Sequence, residues 1–487
     1  MSTAANLLII MADEHARSVM GAYGNRIVST PNLDRLAAGG TTFTSAYTAC
    51  PICVPARAAF ATGRHVHETG HWDNAFAYAG SPISWAHRVR EAGLRVAAIG
   101  KLHYRDSAAD TGFVEQHVPM HVVDGIGDLL GCVREPLPPR WKTRELAEKI
   151  GPGETSYTRY DRTVRDQTIE WLKARAQERG STGAKPWVCF SSMVTPHFPL
   201  IAPEAFYSMY AGKVPMPRKL AAPPDREHPW IAAQRQCFLY DNFTPERVAV
   251  ALASYYGLVS FMDDNVGRIL ATLEETGLAA TTRVIYVSDH GDNAGERGLW
   301  GKSNLYEESA AIPAIIAGPG IPAGRYSATP VSLIDIYATV LDSSGLGTDP
   351  AARGASWIEL ANAPEHPERV VFSEYHAAGA LTGAFMIRRG NWKYVYYPSL
   401  PPQLFDLLAD PDETTDLGRD PSHSHVRGEL HRELMQICDP DEVDVRAKRE
   451  QAAKLDAHGG RAAVVSKGGF GATPTPGENA SYATTTG

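Results

Sequence analysis

The chain has 487 residues, 44% of them apolar and 21% charged, with a formal net charge of −8. That length exceeds what one hydrophobic core usually holds, so a large catalytic domain and a smaller one are expected. With no long basic run, the charge balance excludes a nucleic-acid partner or a membrane surface, both of which need concentrated positive charge; a small anionic substrate needs only a few local cations.

From Met1 the chain passes straight into the apolar run Leu7–Met11, without a basic n-region. No stretch approaches the roughly 20 apolar residues of a membrane span, so a cytoplasmic protein is expected. Leu7–Met11 reads as a first buried strand and Pro31–Gly39 as a helix. Ser81-Pro82 opens a second helix that Gly93 closes, with the proline in its first turn. Val96–Ile99 and Val188–Met193 are further strands. Pro245–Gly277 is a long amphipathic helix leading to the strands Val284–Val287 and Ala314–Ala317. This alternation predicts an α/β fold over residues 1–365, a large, mostly parallel sheet flanked by helices.

Beyond residue 365 the texture changes. Ala384–Arg388 and Trp392–Tyr397 flank Arg389-Gly390-Asn391 as a hairpin, and a small α+β domain is expected over 366–440. Residues 441–487 read as an extension, rich in Gly, Thr, Pro and Ala from Gly468. It is too poor in apolar residues to fold alone and suited to wrapping a neighbouring subunit, so a homo-oligomer is expected. The six cysteines (50, 53, 132, 189, 237, 438) are scattered apart from one close pair, which fits a reducing compartment.

In open α/β sheets, ligands sit outside the carboxyl ends of the strands. Here the first apolar run ends at Asp13-Glu14 and the second reaches Lys101 and His103. The third reaches Thr195 and His197, and the fourth ends at Ser288-Asp289-His290. Taken singly, Asp13 and Asp289 also suit turn or helix capping, His197 a packed loop, and Lys101 and His103 the surface. Four such endings on neighbouring parallel strands would meet in one cleft.

Cys53-Val54-Pro55-Ala56-Arg57, followed by Thr62-Gly63, resembles the C-x-P-x-R signature of the sulfatase family, in which the cysteine is oxidised to formylglycine before folding. Gly100-Lys101-Leu102-His103 resembles the family's second signature, and Thr195-Pro196-His197, Asp289-His290-Gly291 and Gly301-Lys302 follow in the expected order. Asn391-Trp392-Lys393-Tyr394 and Gln403-Leu404-Phe405-Asp406-Leu407 are similar to its closing segment. The resemblance spans roughly residues 5–417. It implies the alkaline-phosphatase-like fold, and Asp289-His290 points to the choline sulfatase and phosphonate monoester hydrolase branch.

The resemblance also implies roles. Asp13, Cys53 as formylglycine, Asp289 and His290 would bind a divalent cation, with Ca²⁺ favoured by oxygen-rich ligation and Mn²⁺ left open by His290. Glu14 stands where many members have a second Asp, which leaves its place in the metal shell open. Arg57 would hold the formylglycine hydrate, and Lys101 and Lys302 the anionic oxygens. His103 would be the base of the second half-reaction, with His197 or Lys302 as the proton donor to the leaving oxygen. Asn74 matches a substrate-contacting asparagine in that branch, or is simply a turn residue.

A formylglycine-generating enzyme is implied as the maturation partner. The implied activity is hydrolysis of sulfate monoesters, arylsulfatase-like, with promiscuity toward phosphonates and phosphodiesters; a phosphonate monoester or phosphodiester hydrolase with the same site is the alternative. Trp72, Trp85, Tyr104 and Trp300 are candidates for a leaving-group pocket or an ammonium cage. Cys50-Pro51-Ile52-Cys53 is also a C-x-x-C, but Pro55 and Arg57 have no redox role, and no second ligand pair lies at zinc-finger spacing.

Overall fold

The computed structural model of the chain describes residues 4–178, 185–223 and 226–483. Its main sheet is built from β1 (Asn6–Asp13), β2 (Gly40–Phe43), β3 (Arg95–Lys101), β4 (Glu115–Met120), β5 (Trp187–Pro196), β6 (Thr282–Ser288), β7 (Ala314–Ala317) and β8 (Arg325–Ser327). Their order across the sheet is β8-β2-β7-β6-β1-β5-β3-β4. β1 lies at the centre, parallel to both β5 and β6, and β3 is parallel to β5 and β4. Of the eight strands, β7 runs against its neighbours β6 and β2. The expected α/β architecture is present.

The apolar runs are continuous because both faces of the sheet are covered. Successive residues of β1 alternate between layers: Leu8 and Ile10 enter one hydrophobic cluster, Leu7, Ile9 and Met11 the other. The first layer is closed by the helices α1 (Pro31–Ala38), α4 (Ser156–Glu178) and α5 (Pro245–Glu275), the second by α2 (Cys53–Thr62), α3 (Trp85–Glu91) and α6 (Asp335–Ser343). Full burial of each β1 aliphatic side chain is worth about 1.5–3 kcal/mol, and truncating Ile9 to alanine would cost about 2–5 kcal/mol with its cavity.

Local chemistry sets the element ends. Pro31 and Pro245 occupy first turns, and the Thr244 hydroxyl accepts from Arg247 N–H at 3.4 Å. α3 starts at Trp85 rather than at the predicted Ser81-Pro82, because Ser84 is the residue whose side chain caps it, accepting from His87 N–H at 3.3 Å. Every strand that feeds the site runs past its apolar stretch into polar residues, ending at Asp13, Lys101, Pro196 and Ser288.

The second sheet is antiparallel and comprises β9 (Val371–Tyr375), β10 (Ala384–Arg389), β11 (Trp392–Tyr396) and β12 (Gln403–Asp406). The predicted hairpin is β10–β11, with Arg389 opposite Trp392 and Gly390 at φ +54° in the turn. The chain then forms α7 (Ser424–Ile437), α8 (Pro440–Asp456) and α9 (Gly460–Lys467). The polar extension thus folds against its own chain: α8 turns Val443, Ala447 and Leu455 inward. Gln451 Nε2 reaches Asp73 Oδ2 at 2.7 Å, and Trp72 Nε1 reaches Glu450 Oε2 at 2.6 Å. Among the described residues, no helix is long and apolar enough to cross a membrane.

Candidate active site

Four side chains converge where the central strands end. Asp13 closes β1, Asp289 and His290 follow β6, and Cys53 is the first residue of α2. Cys53 Sγ lies 3.2 Å from His290 Nε2 and 3.6 Å from Asp13 Oδ1. His290 Nε2 is 3.5 Å from Asp13 Oδ1 and 3.7 Å from Asp289 Oδ1. One donor atom from each of the four falls within 4.8 Å of all the others.

The His290 tautomer follows from its surroundings. Nδ1 faces the Gly291 carbonyl at 3.0 Å, which can only accept, so Nδ1 carries a hydrogen and Nε2 is the ring nitrogen turned to the cluster. Two carboxylates, an imidazole nitrogen and the side chain of residue 53 make a donor set suited to a divalent cation. The site therefore fits such an ion.

The charges are fixed from beneath. The Arg57 guanidinium is buried, with Nε on Asp289 Oδ2 at 2.8 Å and Nη1 on the Lys101 carbonyl at 2.7 Å and on Ser192 Oγ at 2.8 Å; Nη2 is 3.8 Å from Asp13. Lys101 is paired with Asp13. Arg57 thus bonds Asp289 and Lys101 bonds Asp13, with Cys53 also within the electrostatic reach of Arg57. Gly100 lets Lys101 turn down here, since a Cβ would sit 2.1 Å from the Ser192 carbonyl oxygen. Burial pushes the Asp13 carboxyl up, but Lys101, His197 and Arg57 together hold it well below the usual carboxylate range.

Glu14 forms a second corner. Lys302 Nζ lies 2.7 Å from Glu14 Oε2, and His197 Nε2 lies 3.3 Å from the same oxygen. His197 Nδ1 donates to the Phe198 carbonyl at 2.7 Å, which leaves Nε2 facing Glu14. Asp13, Glu14 and His197 also bring donor atoms within 4.8 Å of one another, but here two lysine ammonium groups already meet the carboxylates. Two non-glycine residues with positive φ sit here, Glu14 at φ +71° and His103 at φ +56°.

Cys53, Asn74, His103, His197 and Lys302 line one pocket. Asn74 Oδ1 accepts from Val54 N–H at 3.1 Å, so it caps the first turn of α2 and thereby seats Cys53. Burial, with Lys101 and Arg57 nearby, depresses His103 well below the ordinary imidazole range, and burial with Lys302 does the same to His197. Burial opposes the Lys302 charge, but its neighbours Cys53, Glu14 and Asp13 raise its pKa overall.

The wall of this pocket came from places the sequence did not flag. Arg140, Trp141, Phe238 and Phe470 line it, with the tail residues Gly471 to Thr473. Thr473 Oγ1 meets His103 Nε2 at 3.0 Å, and Tyr157 Oη donates to the Thr473 carbonyl. Of the aromatic residues singled out from sequence, Trp300 lines the pocket. Trp72, Trp85 and Tyr104 are core instead; Trp85, for example, packs edge-on to Phe60 at 5.6 Å. The C-x-x-C chemistry has no support: Cys50 and Cys53 are free buried thiols, and burial raises both, Cys53 to about 11.

A family model described as Sulfatase matches residues 5–346, and one described as N-sulphoglucosamine sulphohydrolase, C-terminal, matches residues 295–439. The chain is 34% identical to choline-sulfatase of Rhizobium meliloti (strain 1021) over 426 residues, 85% of this chain and 83% of that protein. It is 29% identical to arylsulfatase K of Danio rerio over 441 residues, covering 85% and 80% of the two chains. The phosphonate monoester hydrolase of Agrobacterium radiobacter has the same fold, with a TM-score of 0.71 at 23% identity over 89% of this chain and 95% of that one.

Proposed function

We propose that this chain, which belongs to the sulfatase family and is a sulfuric ester hydrolase, cleaves arylsulfatase-like sulfate monoesters with a formylglycine made from Cys53. The observation that carries this reading is the convergence of Cys53 with Asp13, Asp289 and His290 around one donor set. A thiol raised to about 11 is a poor nucleophile at neutral pH, whereas the hydrate of an aldehyde is not bound by that limit. Such a hydrate supplies one hydroxyl to attack sulfur and a second whose deprotonation releases sulfate and restores the aldehyde. Cys53 is 1% exposed, so its conversion by a formylglycine-generating enzyme belongs before folding.

Asp13, Asp289, His290 and the modified residue 53 would hold a divalent cation, Ca²⁺ first and Mn²⁺ second, while Glu14 stays with Lys302. When bound, the ion acidifies the attacking hydroxyl and neutralises a sulfate oxygen. The remaining chemistry belongs to side chains. Arg57 and Lys101 pair with the two carboxylates and hold them in register. His103, held neutral by burial and by Lys101, accepts the proton of the second half-reaction at a ring nitrogen. Lys302, which keeps its proton beside Glu14, meets the developing negative charge and is the group that can donate a proton to the leaving oxygen, with His197 beside it at the same carboxylate. Asn74 acts through α2 and residue 53.

Nothing in this donor set distinguishes sulfur from phosphorus, so phosphonates and phosphodiesters are expected as slower substrates. The test is kcat/KM for an aryl sulfate against an aryl phosphonate with the same leaving group, with Cys53→Ala as the blank. A ratio well above one supports the sulfate reading. A ratio well below one makes the enzyme a phosphonate or diester hydrolase.

A further inference from the structure

The pocket wall carries hydrogen-bond donors that the sulfate chemistry does not use. Arg140 and Trp141 are consecutive lining residues, and in both a buried side-chain nitrogen, Arg140 Nη1 and Trp141 Nε1, has no hydrogen-bond partner among the described residues. Arg140 is 9% exposed, and its other Nη is taken by Asp128, the one acidic residue of the lining. Lys142 lines the pocket beside them, 2.7 Å from Glu145. A buried donor without an acceptor is costly, and a guanidinium more than most, so this wall is built for a ligand oxygen.

The aromatic faces agree on the sign of the charge. Arg144 Cζ lies 5.0 Å from the Trp141 ring centroid, Arg140 Cζ 5.9 Å from that of Phe238, and Lys302 Nζ 5.1 Å from that of Phe198. Three of the lining rings thus already face cations of the chain itself, and a further cation at those faces would meet repulsion rather than an open π face. Phe470 from the tail adds an apolar surface to the same lining.

We propose that the alcohol half of the substrate carries a carboxylate, received by Arg140 and Trp141, with its carbon frame lying against Phe238 and Phe470. This rests on reading the pocket as a sulfate-ester site. The test uses three para-substituted phenyl sulfates, bearing carboxymethyl, ethyl and trimethylammoniomethyl groups, with the matured enzyme. The expected order of kcat/KM is anionic, neutral, cationic, with the anionic ester about tenfold or more above the neutral one. Trp141→Phe and Arg140→Gln should each shrink that ratio toward one; Trp141→Phe keeps the ring and guards against misfolding of the other variant.

A cationic ester turned over as well as the anionic one, or a ratio that survives both substitutions, overturns the proposal. If the matured enzyme cleaves none of the three sulfates, the sulfatase reading is what has failed. The wall is then judged by calorimetric binding of the free phenols to the unmodified protein. Tightest binding of 4-hydroxyphenylacetate supports the carboxylate site, and equal or tighter binding of the ammonium phenol refutes it.

Discussion

At the floor of the pocket, Asp13, Cys53, Asp289 and His290 come from strand ends and one helix start, are nearly fully buried, and are locked by Arg57 and Lys101. At its wall, Arg140, Trp141, Phe238 and Phe470 come from three separate stretches of chain, and the segment around Phe470 belongs to no helix or strand of the main sheet. The floor inherits its geometry from hydrogen-bonded backbone, so its atoms cannot shift singly. The wall is assembled from a helix end, a 3₁₀ segment and the tail, an arrangement that tolerates exchange. One region therefore fixes what is done at the ester group, the other what may be attached to it.

The sharpest way to break this division is Cys53→Ala. Removing the nucleophile's precursor should lower kcat on an aryl sulfate by about 10⁴-fold or more, while single wall substitutions stay within about 10²-fold. Mass spectrometry of the peptide containing residue 53 would show whether the parent carries the aldehyde. A Cys53→Ala enzyme within tenfold of the parent would remove the floor's claim to the chemistry.

Arg57→Met probes the floor's cohesion. The guanidinium faces Asp289 and Asp13, all three buried, and an apolar side chain would leave two buried carboxylates less compensated. Breaking a buried pair in this way costs about 3–5 kcal/mol, so the thermal midpoint should fall by several degrees with activity lost alongside. Trp141→Ala, at the wall, should move the midpoint far less. Equal shifts for the two variants would mean that the floor is no more tightly built than the wall.

Acidity offers a third, smaller contrast. His15 lies just beneath the floor, its Nδ1 2.6 Å from Tyr286 Oη and its Nε2 2.9 Å from the Val19 carbonyl. Burial lowers it from 6.5 to about 4. The folded protein keeps it neutral while the unfolded chain takes up the proton below 6.5, so the unfolded state binds more protons and stability falls as pH drops from 6.5 toward 4. The loss from this one group is roughly 3 kcal/mol at most. His15→Gln should flatten part of the decline measured by chemical denaturation at pH 7, 5.5 and 4.5. An unchanged slope would place the acid sensitivity elsewhere, for example at His65, which burial also lowers to about 4.

The two regions differed as much in legibility as in construction. The floor was readable because each strand's apolar run ends in a chemical residue, and because Cys53-Val54-Pro55-Ala56-Arg57 packs cysteine and arginine into one helical turn. What the sequence could not say is which partner each charge takes: Arg57 serves Asp289, and Lys101 lies under Asp13, because side-chain direction at a strand end depends on bulges such as the one between Ile99 and Lys101. The wall was unreadable for another reason. Arg140 and Trp141 sit around a short 3₁₀ segment and Thr473 in a Gly- and Thr-rich tail, where no periodicity marks the inward side. Aromatic identity alone misplaced Trp72, Trp85 and Tyr104, which the core claims.

Thr473 is where floor and wall meet, since its hydroxyl is 3.0 Å from His103 Nε2 although 370 residues separate the two. Thr473→Val keeps the volume and removes the hydroxyl. One neutral hydrogen bond is worth about 1 kcal/mol, so kcat should fall roughly fivefold. If Thr473 positions the base, that fall is the same for every leaving group, because the second half-reaction no longer contains the alcohol. If it acts only as wall, kcat/KM changes with the size and charge of the alcohol while the common half-reaction is untouched. A uniform fall in kcat across a series of aryl sulfates makes the tail part of the floor's machinery. A leaving-group-dependent change returns it to the wall, and a fall beyond about 10²-fold would erase the boundary between the two regions altogether.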